Sequence, residues 1–290
     1  MDALYRQALL DGERAGARYR LEPPRLAPQG ASGARLGHRP GSSLEFMDHR
    51  DYQPGDDIRR IDWSGYARSD RLTVKLYREE VSPHLDLLVD GSRSMKLSGT
   101  SKAAAVLGLA GAMVAAAGNH NFTHALWWAG EAVRRIGGAG DRPATWQGLS
   151  FESTTPLDEA MARLGPTWRR QSVRVLISDL LWPGDAFSLM RRLAQDAASL
   201  VVIQVLARAD ITPPEQGNLR LVDSETGHEV ELFVDATARR RFTETLDRHQ
   251  QLWRSAAAGV GARLITLTAE DVVQKWDLQE LVRQQVLQVK

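Results

Sequence analysis

From Pro83 onward the chain alternates short, almost wholly apolar runs with helical patterns, and this alternation narrows the fold more than any other feature. Leu85 to Val89, Val173 to Ser178 (VRVLIS) and Leu200 to Leu206 (LVVIQVL) carry too few polar groups to leave a face in water. Strands of that kind belong to mostly parallel sheets covered by helices on both sides. The intervening segments supply the helices. Ser101 to Ala117 reads as a buried helix, Pro156 to Leu164 and Ala186 to Ala198 as further helices, Ala236 to Ala258 as a long one, and Ala269 to Val289 as a closing one. Phe122 to Ala129 and Ala262 to Leu267 add strands, and Glu131 to Ile136 adds a short polar edge. Asn218 to Phe233 reads as a hairpin around Ser224-Glu225-Thr226-Gly227. The expected fold is a doubly wound, mostly parallel α/β domain over residues 84–290, with a hairpin insertion near 218–234.

The first 83 residues have a different texture. Residues 1–42 read as a short amphipathic helix followed by an extended linker, because residues 22–42 are rich in Pro, Gly and Arg and nearly lack large apolar groups. Residues 43–83 carry two strand-like stretches, Ser43 to Tyr52 and Arg71 to Glu79, around the polar segment YQPGDDIRRIDWSGYARS. They form a β-rich subdomain.

Composition removes several function classes. The 290 residues contain no Cys, which excludes disulfides, thiolate metal sites, iron–sulfur clusters and cysteine nucleophiles. With 37 basic and 36 acidic side chains the formal charge is +1, so no whole-molecule field draws the chain onto nucleic acid or an anionic membrane. The excess of Arg over Lys fits either phosphate recognition or a coding bias toward Arg and Ala. The apolar stretch Ala103 to Ala117, which gives way to Asn119-His120-Asn121, is shorter than the roughly 20 residues of a spanning helix. No secretory pattern opens the chain, and a cytoplasmic location is expected.

Ligands of doubly wound sheets bind beyond the carboxyl ends of the strands, so the strand ends are where chemistry is sought. The first apolar strand runs into Asp90-Gly91-Ser92-Arg93-Ser94, and VRVLIS ends in Asp179. A carboxylate with hydroxyls two and four residues on offers hard oxygen ligands, which favour Mg2+, Mn2+ or Ca2+ over zinc. Asp179 can add a second carboxylate across the same crevice. Ser153-Thr154-Thr155-Pro156 opens a helix whose hydroxyls can reach the same point or simply cap the helix.

These residues resemble the metal-ion-dependent adhesion site of von Willebrand factor type A domains. Asp90, Ser92 and Ser94 match its first motif, Thr155 matches the second better than Thr154, and Asp179 matches the third. Upstream, YQPGDDIRRIDWSGYARS followed by LTVKLYREE is similar to the signature of a bacterial family catalogued as domain of unknown function 58, and Asp223 to Gly227 resembles a hairpin that recurs in it. The resemblance implies a von Willebrand factor type A-like fold and a binding module, not a catalyst. A cation, Mg2+ or else Mn2+ or Ca2+, keeps a position open for a partner's carboxylate. It also implies a protein partner, a MoxR-type AAA+ ATPase, in assembling or activating other complexes. Arg93, at a variable position of the motif, either repels the cation or meets an acidic partner.

The polar segment itself has two readings. Asp56, Asp57 and Asp62 with Arg59 and Arg68, plus Trp63, form either an ion-pair network expected to fix the β-rich subdomain onto the α/β domain, with Trp63 buried between them, or a protein-binding face. Among enzymes the rival is a magnesium-dependent phosphohydrolase of haloacid-dehalogenase type with Asp90 as nucleophile, but that chemistry wants an acid two residues on, where Ser92 stands. No G-x-S-x-G elbow or Walker loop occurs. His120 and His124 read as a surface turn, and Arg239-Arg240-Arg241 as a solvated helix face or an acidic-partner contact.

Overall fold

Strands that are apolar on both faces must be sandwiched, and the structure, a computed structural model describing residues 2–23, 44–79, 83–138, 140–223 and 227–290, sandwiches them. The chain divides into two units, Met1–Leu26 with Pro83–Lys290, and Ala27–Ser82. Helix α1 (Ala3–Gly16) and strand β1 (Tyr19–Leu21) begin the first unit. The second unit holds β2 (Leu44–Asp51), α2 (Trp63–Ser69) and β3 (Thr73–Glu79). The first unit resumes with β4 (His84–Asp90), α3 (Lys102–Gly118), β5 (Thr123–Ala129), β6 (Val133–Ile136), α4 (Leu157–Arg163), β7 (Val173–Ser178), α5 (Ala186–Ala194) and β8 (Ser199–Leu206). It ends with α6 (Arg208–Ile211), β9 (Gly217–Val222), β10 (Glu229–Val234), α7 (Ala236–Gly259), β11 (Arg263–Thr268), α8 (Ala269–Lys275), α9 (Gln279–Arg283) and β12 (Leu287–Val289).

Six strands form the main sheet in the order β11-β8-β7-β4-β5-β6, and all pairs are parallel except β5 with β6. The expected mostly parallel α/β fold is therefore present. The strand order reverses at β4, which lies between β5 and β7, so the ligand crevice of such a sheet falls beyond Asp90 and Ser178. Alternation places Leu85, Leu87 and Val89 in one core with α3, and Leu88 in the other with α4 and α5. Asp86, the one acid inside this strand, is buried but satisfied by the Trp127 indole at 2.9 Å and the Arg169 amide at 3.0 Å.

α3 is apolar all round because it is covered on both sides. The sheet lies under it, and α1 crosses over it so closely that a Cβ on Gly12 would stand 1.9 Å from the Gly108 carbonyl oxygen. The N-terminal helix is thus part of the α/β unit, and β1 pairs antiparallel with β12.

Two expectations for this unit need correction. Ala269 to Val289 is not one helix. Trp276 takes a left-handed conformation (φ 47°), its ring lies against Gly108, the Asp277 carboxylate then accepts from the Gln279 amide to start α9, and the chain ends in β12. His124 is no surface-turn residue: it lies on β5, buried, with Nε2 at 3.2 Å from the Asp141 carbonyl oxygen. His120 does sit in the turn after α3, with Nδ1 2.9 Å from the Leu21 carbonyl oxygen. The expected hairpin is β9 paired with β10; of its turn, Ser224, Glu225 and Thr226 lie outside the described residues, as do residues 24–42 of the expected linker.

In the second unit β2 and β3 pair antiparallel, with a register irregularity between Phe46 and Asp48. The polar segment between them folds into a 3-10 turn at Ile58–Arg60 and then α2.

Candidate functional site

Asp90 is the last residue of β4 and is 3% exposed. Its Oδ1 accepts from the Ser92 amide at 3.0 Å and its Oδ2 from the Ser178 hydroxyl at 2.7 Å, so the carboxylate is fixed. Burial pushes its pKa up from 3.8 to about 6, the Asp179 charge adds to that, and the bonds from Ser178 and Ser92 oppose it. The loop that follows must pass close to β5. A Cβ on Gly91 would meet the Trp128 Nε1 at 2.3 Å and the Ala129 carbonyl oxygen at 2.7 Å, which only glycine avoids. Beyond it, Ser92 Oγ and Ser94 Oγ stand 3.1 Å apart.

Thr155 is brought to this loop by backbone pairing. Ser92 bridges Ser153, the Arg93 amide donates to the Ser153 carbonyl at 2.9 Å, and the Ser153 amide donates to the Gly91 carbonyl at 3.3 Å. Ser153 and Thr155 do not cap α4, whose N-cap is Pro156. Instead the Ser153 hydroxyl accepts from the Thr155 amide, and the buried Thr155 hydroxyl donates to Glu131 Oε2 at 2.7 Å. That bond, with the Arg163 guanidinium beside it, holds the Glu131 carboxyl below its ordinary range. Arg93 itself donates from Nε to the Glu152 carbonyl oxygen at 3.3 Å.

Asp179 follows β7 and is buried. Its Oδ1 accepts from the Leu181 amide at 3.1 Å, and its Oδ2 from the Lys102 ammonium at 2.7 Å. Lys102 opens α3, is 1% exposed, and also pairs with Asp210 Oδ2 at 3.0 Å. Burial works against the charge on Lys102, but Asp179 and Asp210 outweigh it and raise its pKa above the ordinary value.

Asp90, Ser92, Ser94 and Asp179 therefore lie at the ends of β4 and β7, and Thr155 lies before α4 on a segment tied to the same loop through the Ser92–Ser153 bridge. The donor set fits a hard divalent cation. All donors are oxygens, two buried carboxylates repel one another there, and the spacing of the Ser92 and Ser94 hydroxyls is close to the roughly 3 Å edge of an octahedron with ligands at about 2.1 Å. Among the described residues no group of three His, Asp or Glu side chains is placed to hold a metal ion, and a cation site here would draw on the hydroxyls beside Asp90.

The interaction candidates of the second unit close their bonds within it. Asp56 accepts from Arg50 at 2.6 Å, Asp57 from Arg59 at 3.0 Å, and Asp62 pairs with His49 at 2.9 Å and Lys75 at 3.3 Å. Arg68 donates to the Ser64 carbonyl at 3.1 Å. Trp63 is 61% exposed and meets Tyr66 edge to face at 6.4 Å.

Four residues of the site went unnoticed in the sequence: Lys102, Ser178, Asp210 and Glu131. A signal existed for Lys102, the charge at the head of the fifteen-residue apolar stretch Ala103 to Ala117 and one of only five lysines. Nothing local marks the others.

The sheet order, its antiparallel edge strand and the Asp/Ser/Thr loops at the strand ends define a von Willebrand factor type A-like α/β protein. Within that class the chain belongs to the family described as protein of unknown function DUF58, whose model matches residues 48–252. Uncharacterized proteins Rv1480 of Mycobacterium tuberculosis and Mb1516 of Mycobacterium bovis are each 30% identical to it over 253 residues, 82% of this chain and 78% of theirs. Among solved structures it is similar to the conserved hypothetical protein BatB of Bacteroides thetaiotaomicron (12% identity, TM-score 0.38, 69% of this chain and 98% of that one). It is also similar to the ArnB paralog VWA2 of Sulfolobus acidocaldarius (15% identity, TM-score 0.33, 46% and 38%). At those scores the likeness carries no argument, and the fold class rests on the sheet topology.

Proposed function

We infer that this protein is a non-enzymatic protein-binding module whose strand-end rim takes up a divalent cation, Mg2+ or alternatively Mn2+ or Ca2+, and with it an acidic residue of a partner. The partner in this reading is a MoxR-type AAA+ ATPase, the two acting in the cytoplasm to assemble or activate another protein complex. The observation that carries the reading is Asp90: a buried, fixed carboxylate whose charge is opposed by Asp179 and which stands beside paired serine hydroxyls. A buried charge in that position calls for a cation. Asp90, Ser92, Ser94 and Thr155 would hold it, with Asp179 beside them. A cation bound there supplies a positive centre with a coordination position free for a carboxylate. The chain's own residues do the rest. Gly91 keeps the loop tight, Ser178 and the Ser92 amide aim the Asp90 carboxylate, and Ser153 pins the Thr155 backbone. No helix among the described residues is long and apolar enough to cross a membrane.

Calorimetric titration with Mn2+ and Mg2+ tests the rim. Saturable binding that Asp90→Ala abolishes is expected, and no heat at millimolar cation would overturn it. Pull-down of the ATPase with and without chelator tests the partner: recovery lost on chelation supports the reading, and equal recovery places the contact elsewhere.

A further inference from the structure

Lys102 is a buried charge that cation binding by the rim does not require. It stands at the first position of α3, where the helix dipole disfavours a cation, and no water reaches it at 1% exposure. A buried ion pair is a poor way to gain stability, since apolar residues of the same volume usually do as well or better. A charge kept in such a place calls for an electrostatic role. Its neighbours indicate one. Lys102 Nζ lies 2.7 Å from Asp179 Oδ2 and 3.0 Å from Asp210 Oδ2, and Asp179 directly follows Ser178, whose hydroxyl donates to Asp90 Oδ2 at 2.7 Å. Asp210 is fixed in turn, because its Oδ2 also accepts from the Ala207 amide at 2.8 Å. The cluster thus holds three carboxylates, Asp90, Asp179 and Asp210, against one ammonium. Glu131 beside Thr155 is offset by Arg163 at 3.3 Å, so this cluster is left with two uncompensated negative charges, the number that one divalent cation neutralises.

We propose that Lys102, balanced by Asp210, sets the charge of the rim: it is a fixed internal cation that matches the site to a divalent ion. The proposal rests on the reading of the rim as a cation site. Lys102 is a positioning residue in this account. It touches no cation itself, and through Asp179 it fixes how strongly the rim attracts one. Asp179 in turn acts on the rim by its charge, since both its oxygens already accept bonds from the Leu181 amide and Lys102.

The two residues make opposite predictions. Removing the ammonium with Lys102→Met leaves the rim more negative, and Mn2+ affinity rises at least tenfold. Removing a carboxylate with Asp210→Asn, which keeps an oxygen for the Ala207 amide, leaves it less negative, and Mn2+ affinity falls at least threefold. A residue that merely held the fold together would lower affinity in both variants. The experiment is calorimetric titration of the full chain and the two variants with Mn2+, with thermal unfolding in chelator to establish that each is folded. Opposite shifts support the proposal; shifts in the same direction, or none, overturn it. Should Lys102→Met not fold, Asp210→Asn decides: weakened binding supports the proposal and unchanged binding overturns it. The reading of the rim fails separately, when the unmodified chain binds no Mn2+. In that event a Lys102→Met variant that gains Mn2+ binding still supports the charge-setting role, and one that stays silent overturns that as well.

Discussion

Asp90→Asn should stabilise the protein in chelator while abolishing cation binding, and the structure sets the size of the effect. Burial and Asp179 raise the Asp90 pKa from 3.8 to about 6. An acid whose pKa is raised on folding binds more protons folded than unfolded, so stability falls as pH rises from about 4 to about 6 and stays lowered above that. The difference corresponds to about 3 kcal/mol at pH 7. Asn never ionises and escapes this cost. It keeps an oxygen for the Ser92 amide and turns its amide toward the Ser178 hydroxyl, which already accepts from the Leu180 amide. The rearranged Ser178 bond costs about 1 kcal/mol, leaving a net gain of about 2 kcal/mol. Urea denaturation in chelator between pH 4 and pH 7 reads it out, with the two proteins converging near pH 4. Millimolar Mn2+ should then stabilise only the unmodified chain. A variant less stable than its parent by the same amount at every pH would refute the reasoning, because it would mean that Asp90 is held by its hydrogen bonds and carries no charge penalty.

Other perturbations separate packing, chemistry and acid sensitivity. Gly91→Ala forces a Cβ to within 2.3 Å of the Trp128 indole nitrogen and should cost about 1–3 kcal/mol by urea denaturation; an unchanged midpoint would show that the loop has room to spare. Thr155→Val removes the hydroxyl that now meets Glu131 and should weaken Mn2+ binding several-fold in calorimetry, whereas Thr155→Ser should retain it. Burial raises the Asp86 pKa, but the contacts with His84 and the Trp127 indole outweigh it and hold the group below its ordinary value. Its contribution to stability is therefore present above about pH 4 and lost as pH falls through the lower folded value, and Asp86→Asn should flatten that acid limb of the denaturation profile. Hydrolysis of aryl phosphates should show no turnover that depends on Asp90; turnover lost in Asp90→Asn would favour the phosphohydrolase reading instead.

The parts of this molecule that the sequence discloses are those governed by short-range physics. β4, β7 and β8 are legible because a strand buried on both faces has no polar alternation, and the site follows because sheets of this kind bind ligands at their strand ends. Asp90, Ser92 and Ser94 are adjacent in the chain, so the loop that joins them is local. What stays hidden depends on partners far along the chain. The break at Trp276 has no Gly or Pro to announce it, and exists because a smooth face at Gly108 on α3 accepts the indole ring. His124 reads as turn because it follows Gly118 and Asn119 closely, although β5 has already begun at Thr123.

Lys102 carries the argument furthest. Its pairing with Asp179 spans 77 positions, and that with Asp210 is equally remote from any local pattern, so no window of sequence shows that the rim is charge-balanced from within. A motif of Asp, Ser and Thr specifies which atoms can ligate. How strongly they attract a cation is decided by a lysine that the motif does not contain, standing at the head of the one helix too apolar to hold a charge without a purpose. Two chains sharing this motif can therefore differ in cation affinity by an order of magnitude or more, since a single buried charge at close range is worth several kcal/mol. The residue at position 102, together with the one at 210, is where that difference should be sought.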